Sequence, residues 1–269
     1  MTGNLCPLCG SERQILLSSG LYKCRNCGCG YNTKHKLLDY TDSYFTSDYK
    51  KQYGKTYEED FNHIYSISKK RIDHIKQISK GTNNSILDIG SALGFFLKCA
   101  SDAGYKRTLG IEISPYASQY SISKFGIETV MNSFSKIEIS EKFDVVTSWY
   151  FIEHNNDPVQ ILHKIFSILE NGGIFAMTVP SIFGPLFYFN RKEWIEKHPE
   201  DHRVDFSPGS AKKVLKRIGF KSIEIKSAGF HPERVFNSKS IFFPIFKKFY
   251  FAFSKMFIFS DTIEVYAIK

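Results

Sequence analysis

Residues 86–98 read ILDIGSALGFFLK, which is an apolar run, a glycine-containing turn and the start of an apolar helix. The apolar run predicts a buried strand that ends at Asp88, and Gly90 and Gly94 lie in the turn that follows. In open α/β sheets, ligands bind beyond the carboxyl ends of such strands, and glycine lets the backbone approach a ligand closely. The stretch therefore predicts a cofactor site at the first turn of an α/β domain.

Strands and amphipathic helices alternate along the chain from this turn onward. Strands are predicted at 85–89, 107–113, 127–131, 143–149 and 173–179. Helices are predicted at 93–103, 115–125 and 158–170, with a further helix at 57–79 upstream. Asn171-Gly172-Gly173 is predicted to end the last of the downstream helices, because these residues tolerate a left-handed backbone. The alternation favours a doubly wound parallel sheet.

Two kinds of cofactor suit this layout, and the residues of the turn distinguish them. A dinucleotide site requires G-x-G-x-x-G, but Ala92 replaces the second glycine here. The carboxylate of Asp88 would repel a pyrophosphate and attract a cation. Glu112 ends the second strand, where a carboxylate can accept hydrogen bonds from ribose hydroxyls. The pattern therefore favours a cationic nucleoside cofactor over the dinucleotide of a dehydrogenase.

The run D-x-G-x-x-x-G from Asp88 to Gly94 resembles motif I of the class I S-adenosylmethionine-dependent methyltransferases. FDVVTSWYFIEHNNDP (143–158) and LENGGIFAMTVP (169–180) follow with the order and spacing of that family, and the resemblance covers about residues 60–230. The Glu153-His154 pair after the fourth strand resembles the Glu-His pair of one branch of this family. That branch contains the ubiquinone-biosynthesis methyltransferases and many sugar and cell-envelope methyltransferases. The resemblance implies a Rossmann-like seven-stranded sheet with an antiparallel last strand at 261–269.

The resemblance also implies which residues surround S-adenosylmethionine. They follow the carboxyl ends of four successive predicted strands. The set comprises Asp88, Gly90 and Gly94 at the methionine part, Glu112 at the ribose, Asn132, Ser133 and Phe134 at the edge of the adenine, and Trp149 beside the cofactor; it also includes Ser91 and Ile113, which adjoin these residues in the sequence.

Three residues are candidates for the chemistry of methyl transfer. His154 is the candidate general base, because imidazole is partly neutral near pH 7; the alternative is a structural histidine. Glu153 is expected to orient His154. His202, in an insert after the fifth strand, is a candidate for the acceptor site; the alternative is that this insert is a solvated loop. Tyr150 stands where the ubiquinone branch has a metal-binding Glu, which argues against a catalytic metal.

The N-terminus carries two identical cysteine pairs, Cys6-x2-Cys9 and Cys24-x2-Cys27. Four thiolates at this spacing are typical of a structural zinc site, and the alternative is free thiols. Cys29 is expected to lie beside the site without binding the metal. Residues 1–34 are therefore predicted to form a zinc-ribbon-like module.

The formal charge of +9 is unevenly distributed. Residues 81–184 carry 7 Lys and Arg against 10 Asp and Glu, whereas the flanks 1–80 and 185–269 carry net charges of +5 and +7. Basic flanks suit nucleic acid, an anionic membrane or a phosphorylated small molecule.

The segment after the fourth strand lacks the Pro-Pro-aromatic run of enzymes that methylate planar amino groups, and no Pro-Cys pair offers a nucleophile for pyrimidines. These absences count against nucleic-acid substrates.

The segment 240–260, SIFFPIFKKFYFAFSKMFIFS, predicts an amphipathic helix rich in Phe. Ile245, Phe249 and Met256 belong to its apolar face, and Lys248 and Ser254 to its polar face. Such a helix can lie in a membrane interface. The alternative is a helix that packs on its own sheet or across a dimer.

The predicted organisation is a zinc module at 1–34, a linker and helix at 35–80, and a methyltransferase domain at 81–269 that contains an aromatic insert at 235–260. The N-terminus has no apolar signal-peptide core, so a cytoplasmic protein is expected, peripheral to the inner face of the membrane if the aromatic helix binds lipid. The leading hypothesis is methyl transfer to a hydroxyl or carbon of a small molecule or sugar, with envelope polysaccharide biosynthesis preferred. The alternatives are a ribosomal-RNA methyltransferase whose zinc module recognises RNA, and a non-catalytic adaptor that binds S-adenosylmethionine.

Overall fold

The structure is a computed structural model that describes residues 5–36, 42–79, 81 and 84–269. The predicted boundary at 80/81 involves residue 80, which lies outside the described residues. The chain divides into two compact units. The first, termed the cysteine unit, comprises Met1–Leu37, Tyr150–His163 and Met177–Ala267. The second, termed the glycine-loop unit, comprises Leu38–Trp149, Lys164–Ala176 and Ile268–Lys269.

Strands and helices alternate through the middle of the chain, as the sequence predicts. The strands are β1 (Gln14–Ser18), β2 (Leu21–Cys24), β3 (Gly30–Asn32), β4 (Ser85–Ile89), β5 (Arg107–Glu112), β6 (Glu128–Met131), β7 (Phe143–Trp149), β8 (Leu169–Pro180), β9 (Val204–Asp205), β10 (Ser222–Ala228) and β11 (Thr262–Ile268). The helices are α1 (Tyr49–Tyr53), α2 (Phe61–Ile78), α3 (Phe95–Asp102), α4 (Pro115–Phe125), α5 (Pro158–Ile168), α6 (Pro185–Phe189), α7 (Arg191–Glu196), α8 (Pro208–Ile218) and α9 (Phe243–Phe257). Single helical turns lie at Tyr44–Asp48, Ile152–His154 and Pro232–Arg234.

The main sheet has seven strands in the order β10-β11-β8-β7-β4-β5-β6. β4 pairs in parallel with both β5 and β7, and β5 pairs in parallel with β6. β4 is almost entirely buried, which is why its sequence is a continuous apolar run rather than an alternating one. The predicted Rossmann-like sheet with an antiparallel last strand is confirmed.

One predicted helix end is wrong. Helix α5 ends at Ile168, and Asn171-Gly172-Gly173 lies inside β8 instead of capping the helix. The reason is close backbone packing, because a Cβ added at Gly173 would lie 2.9 Å from the carbonyl oxygen of Glu170 and 3.0 Å from that of Asp144. Glycine is needed here for strand packing, and Gly172 supplies the positive φ of +80° beside it.

The N-terminal strands do not form an isolated module within the cysteine unit. They belong to a second sheet in the order β1-β2-β3-β9, in which Gly30 pairs with Asp205 and Tyr31 with Val204. The Nζ atom of Lys213 on α8 donates to the carbonyl oxygen of Asn26 at 2.8 Å. The cysteine-containing turns are therefore fixed to β9 and α8, two elements that follow much later in the chain.

Candidate cofactor and acceptor sites

The turn after β4 is built from alternating left-handed residues in the glycine-loop unit. Gly90, Ala92 and Gly94 have φ angles of +74°, +49° and +79°. The amides of Gly90 and Ser91 both donate to the carbonyl oxygen of Ile111, at 2.8 and 3.1 Å. This loop is the predicted cradle, and its backbone is fixed to the end of β5.

Gly94 has no room for a side chain. A Cβ at this position would overlap Ser121 Oγ and lie 2.9 Å from Ser121 Cβ on α4. The glycine of the motif is therefore required both by its left-handed backbone and by the close packing of α4 against the loop.

We expect Gly94→Ala to lower the free energy of unfolding by about 2–4 kcal/mol, because left-handed strain and overpacking add. Gly104→Ala is the matched control, since Gly104 has a φ of +93° with nothing within 4 Å of an added Cβ. The control should lose only about 1 kcal/mol in urea unfolding. An equal loss in both variants would show that packing against Ser121 contributes nothing.

Asp88 is a buried carboxylate at the end of β4. Thr147 Oγ1 donates to its Oδ1 atom at 2.6 Å, yet burial raises the pKa of Asp88 to about 8. A cationic group within about 4–6 Å would favour the charged form of such a carboxylate. Asp88 is therefore suited to a ligand that carries a sulfonium and an ammonium, as S-adenosylmethionine does.

Glu112 connects the two loops of the predicted site. Its carboxylate accepts the amide protons of Ala92, Ile113 and Ser114 at 2.8, 2.8 and 2.9 Å. Burial raises the pKa of Glu112 despite these hydrogen bonds. Since a carboxylate offers about four lone-pair positions, one remains for a ribose hydroxyl.

Two residues near Asp88 were missed by the sequence analysis. The guanidinium of Arg71 on α2 lies 4.1 Å from the centre of the Trp149 ring, and its charge lowers the pKa of Asp88 against the dominant effect of burial. Tyr57 is partly buried near Asp88 and Glu112, and loss of solvent together with those charges raises the pKa of its phenol. A single Arg or Tyr before the first strand has no motif around it, so the sequence offered no signal.

Within the described part of the chain, the buried atoms Ser91 Oγ and Trp149 Nε1 have no hydrogen-bond partner, which leaves polar atoms for a ligand.

The predicted cofactor residues after β5 and β6 differ in exposure. Ile113 is 48% exposed at the end of β5, where it offers an apolar surface. Asn132 Oδ1 accepts the amide proton of Ser133 at 2.8 Å. Phe134 is 1% exposed, and the Nζ atom of Lys164 lies 4.7 Å from the centre of its ring. Phe134 thus packs in the interior, and contact of this set with adenine stays a prediction.

A cluster of imidazoles and carboxylates lies in the cysteine unit, and we term it the histidine cluster. Its carboxylates are buried and its imidazoles are partly buried, and its members are Glu153, His154, His198, Asp201, His202 and Asp205. His154 Nδ1 lies 2.9 Å from Asp201 Oδ2, and the rings of His154 and His202 are 5.0 Å apart. The structure therefore brings the three predicted catalytic candidates together.

The side chains of His198 and His202 are largely shielded from solvent, so the alternative that they are solvated loop residues is wrong. Their side chains are 6% and 14% exposed. His198 Nε2 lies 2.7 Å from Asp205 Oδ2, and His202 Nδ1 lies 3.4 Å from Asp205 Oδ1. Asp205 on β9 therefore holds both imidazoles.

The pKa values of Glu153 and His154 are both raised, but for different physical reasons. Burial lowers the pKa of His154, but the hydrogen bond with Asp201 and the charge of Glu153 outweigh it, so the pKa is raised above 6.5. Burial raises the pKa of Glu153, and in the described residues neither of its carboxylate oxygens has a hydrogen-bond partner. The backbone positions the pair, because Arg203 N donates to Glu153 O at 2.7 Å and Tyr150 takes a left-handed φ of +56° just before it.

Two sets of three side chains in the histidine cluster have the composition of a divalent-metal site. The sets are Glu153, His154 and His202, and His198, His202 and Asp205. The ligand atoms of each set lie within 4.8 Å of one another. The first set contains Glu153 and His154, and its third possible ligand is His202. The ubiquinone branch instead has its third ligand at the position of Tyr150.

The N-terminal cysteines have the geometry of a tetrahedral thiolate site. Cys6 Sγ lies 3.6 Å from Cys27 Sγ, and Cys9 Sγ lies 3.6 Å from Cys24 Sγ. Tetrahedral zinc with bonds of about 2.3 Å would set sulfur atoms about 3.8 Å apart. The fifth thiol is closer than expected, because Cys29 Sγ lies 3.4 Å from both Cys6 Sγ and Cys27 Sγ.

Comparisons with known proteins agree with this architecture. A ubiquinone biosynthesis O-methyltransferase of Hydrogenovibrio crunogenus is 27% identical over 127 residues, which are 45% of this chain and 53% of that protein. The chain spans about half the length of the curated relatives it matches. A SAM-dependent methyltransferase from Archaeoglobus fulgidus has a TM-score of 0.56 at 18% identity, covering 86% of this chain and all of that one. The plantazolicin methyltransferase BpumL, solved in complex with a monoazolic desmethylPZN analog and SAH, has a TM-score of 0.56 at 14% identity, covering 83% of this chain and 88% of that one.

The sheet order, the glycine turn and the acidic ends of β4 and β5 define the class I S-adenosylmethionine-dependent methyltransferases, as the sequence predicted. The model of the methyltransferase domain family matches residues 61–225, which is more than half of the chain. The protein belongs to this family.

Proposed function

We propose that this protein transfers a methyl group from S-adenosylmethionine to a hydroxyl, or to a carbon, of a small-molecule or sugar acceptor. The observation that carries the proposal is the pairing of His154 with Asp201 in a buried cluster, because it provides an imidazole oriented to accept a proton. The curated relatives named O-methyltransferases support a hydroxyl as the acceptor group. We prefer a saccharide of envelope polysaccharide biosynthesis, made in the cytoplasm.

S-adenosylmethionine, when bound, supplies a methyl group already activated by its sulfonium. Asp88 and Arg71 would bind the charged methionine part, and Glu112 the ribose. Alignment of reactants in such a site contributes effective molarities of about 10⁵–10⁸ M. The work of the chain is therefore chiefly to orient the two substrates.

His154 is the proposed general base. With its Nδ1 proton donated to Asp201, the neutral imidazole presents Nε2 as a proton acceptor. Glu153 Oε1 lies 4.0 Å from that nitrogen and would stabilise the imidazolium that forms. His202, whose ring contacts that of His154, is proposed to face the acceptor.

We also propose a structural zinc ion bound by Cys6, Cys9, Cys24 and Cys27. Four thiolates leave no open coordination position, so the metal would fold the module and take no part in the chemistry. The amides of Gly10 and Gly28 donate to the carbonyl oxygens of Cys6 and Cys24 at 2.9 and 3.1 Å, and these turns are typical of zinc knuckles.

Labelled acceptor fractions test the proposed reaction. The protein is incubated with methyl-labelled S-adenosylmethionine and separated RNA, lipid, nucleotide-sugar and polysaccharide fractions. We expect label in the nucleotide-sugar or polysaccharide fraction, with protein inactivated by heat as the control. Label in RNA alone would establish the ribosomal-RNA alternative instead. Cofactor binding without label in any fraction would favour the adaptor.

A further inference from the structure

Helix α9 presents three different faces, of which only one is packed on the protein. Tyr250 and Ser254 are buried, and the ring of Phe246 stacks on that of Phe236 at 4.7 Å. Ser227 Oγ donates to the carbonyl oxygen of Ser254 at 2.5 Å. Ser254 therefore belongs to the packed face, and its predicted place beside the lysines is wrong.

A second face of α9 is apolar and open to solvent. Its side chains recur at helical spacing and continue into the residues before the helix. They are Ile241, Phe242, Ile245, Phe249, Phe253, Met256 and Phe257, each between 49% and 84% exposed. Large contiguous apolar surfaces on a folded protein mark a binding site.

The apolar face extends beyond the helix. Phe253 contacts Phe259 with ring centres 5.7 Å apart, and Phe259 in turn contacts Phe189 of α6 at 6.1 Å. Phe189 is itself 68% exposed. We term the surface formed by α9, residues 241–242 and Phe189 the aromatic face.

The third face of α9 is basic. Lys247, Lys248 and Lys255 are exposed beside the apolar side chains. Arg234 is paired with Asp261 at 3.7 Å, and the segment 235–260 that follows it contains four Lys and no Asp or Glu. The partner of the aromatic face must therefore admit apolar side chains and must also carry negative charge that complements the lysines.

We propose that the aromatic face docks on the surface of an anionic phospholipid bilayer, with α9 lying in the plane of the interface. Phenylalanine and methionine would enter the acyl boundary while the lysines meet the lipid phosphates. With 15 residues, α9 is shorter than the about 20 needed to cross a bilayer, and none of the helices in the described ranges meets the requirements for a span.

Charge argues against a second copy of the chain as the occupant. A symmetric dimer would place the same face of both subunits together. Two segments 235–260 would then bring eight lysines to one interface without a single acid from either segment. An anionic lipid surface neutralises the same charges.

Co-sedimentation with vesicles tests the proposal. We expect the wild-type protein to sediment with vesicles of phosphatidylcholine and phosphatidylglycerol at 7:3, and to be released as salt rises. Phe249→Ser with Met256→Ser should lower the partition coefficient at least tenfold. Lys248→Glu with Lys255→Glu should remove the preference for the anionic vesicles. Ile122→Ser, an exposed apolar residue on α4, is the matched control and should bind as wild type does.

Three results would overturn the proposal. They are the absence of sedimentation with anionic vesicles, equal binding to pure phosphatidylcholine, and a wild-type dimer in sedimentation velocity that the Phe249 and Met256 changes dissociate. Circular dichroism of each variant excludes misfolding, and the altered side chains are exposed. Vesicle binding is measured without methyl transfer, so its failure would leave the proposed reaction standing.

Discussion

The His154→Ala variant should turn over its acceptor about 10²–10⁴ times more slowly than the wild-type protein, the range that a positioned general base supplies. The dissociation constant for S-adenosylmethionine should change little, because the proposed cofactor residues belong to other segments, from Arg71 to Trp149. Single-turnover methyl transfer and isothermal titration with the cofactor measure the two quantities separately. His163→Ala is the control, since this histidine is exposed on α5.

The pH profile separates a base from a structural histidine. Because the pKa of His154 is raised above 6.5, the acidic limb of kcat should lie above that pH in the wild-type protein. Asp201 favours the protonated imidazole, so Asp201→Asn should lower the pKa of His154 and move the acidic limb of kcat toward lower pH. The plateau value of kcat should also fall. An unmoved limb, or full activity in His154→Ala, would remove His154 as the base.

Loss of one zinc ligand is the second change with a large expected effect. Cys24→Ala should abolish binding of one zinc ion per chain, because a structural site of this type contributes about 10–16 kcal/mol of apparent binding free energy. We expect faster hydrogen exchange in residues 5–36 and also in 198–205, since β3 pairs with β9. The turnover number should fall when zinc is lost, because Asp205 on β9 holds His198 and His202.

Cys29→Ala is the matched control for this prediction. Cys29 is fully buried among the same thiols, so its replacement tests the removal of a sulfur that is not a predicted ligand. Metal analysis should find zinc retained in Cys29→Ala and lost in Cys24→Ala. The opposite pattern would assign Cys29 to the metal and contradict the predicted four ligands.

The glycine-loop unit could be predicted from sequence because its signals are local. The strand predicted at 85–89 is β4, and the strand predicted at 143–149 is β7, residue for residue. An apolar run, an acidic end and glycines at fixed offsets specify a strand, a turn and a helix within about a dozen residues. The turn at Gly173 was misassigned because Gly172 and Gly173 lie inside β8, where Gly173 packs closely against the backbone of Glu170 and of Asp144 on β7.

The histidine cluster depends on contacts that no local pattern encodes. His154 meets Asp201, and His198 meets Asp205 at the edge of a sheet whose other strands begin the chain. Arg71 acts on Asp88 across the fold without a motif of its own. The sequence identified His154, Glu153 and His202 by their place after the strands, but their carboxylate partners and burial required the tertiary structure.

The pairing of β3 with β9 has a consequence for the order of biosynthesis. The four predicted zinc ligands have all been synthesised once Cys27 is made, whereas Tyr31 can pair only after Val204 has been made, about 170 residues later. Until then β3 is an open edge, able to pair with other chains. Early metal capture would hold the nascent hairpin in shape through that interval, so zinc shortage during translation should appear first as aggregation of newly made protein.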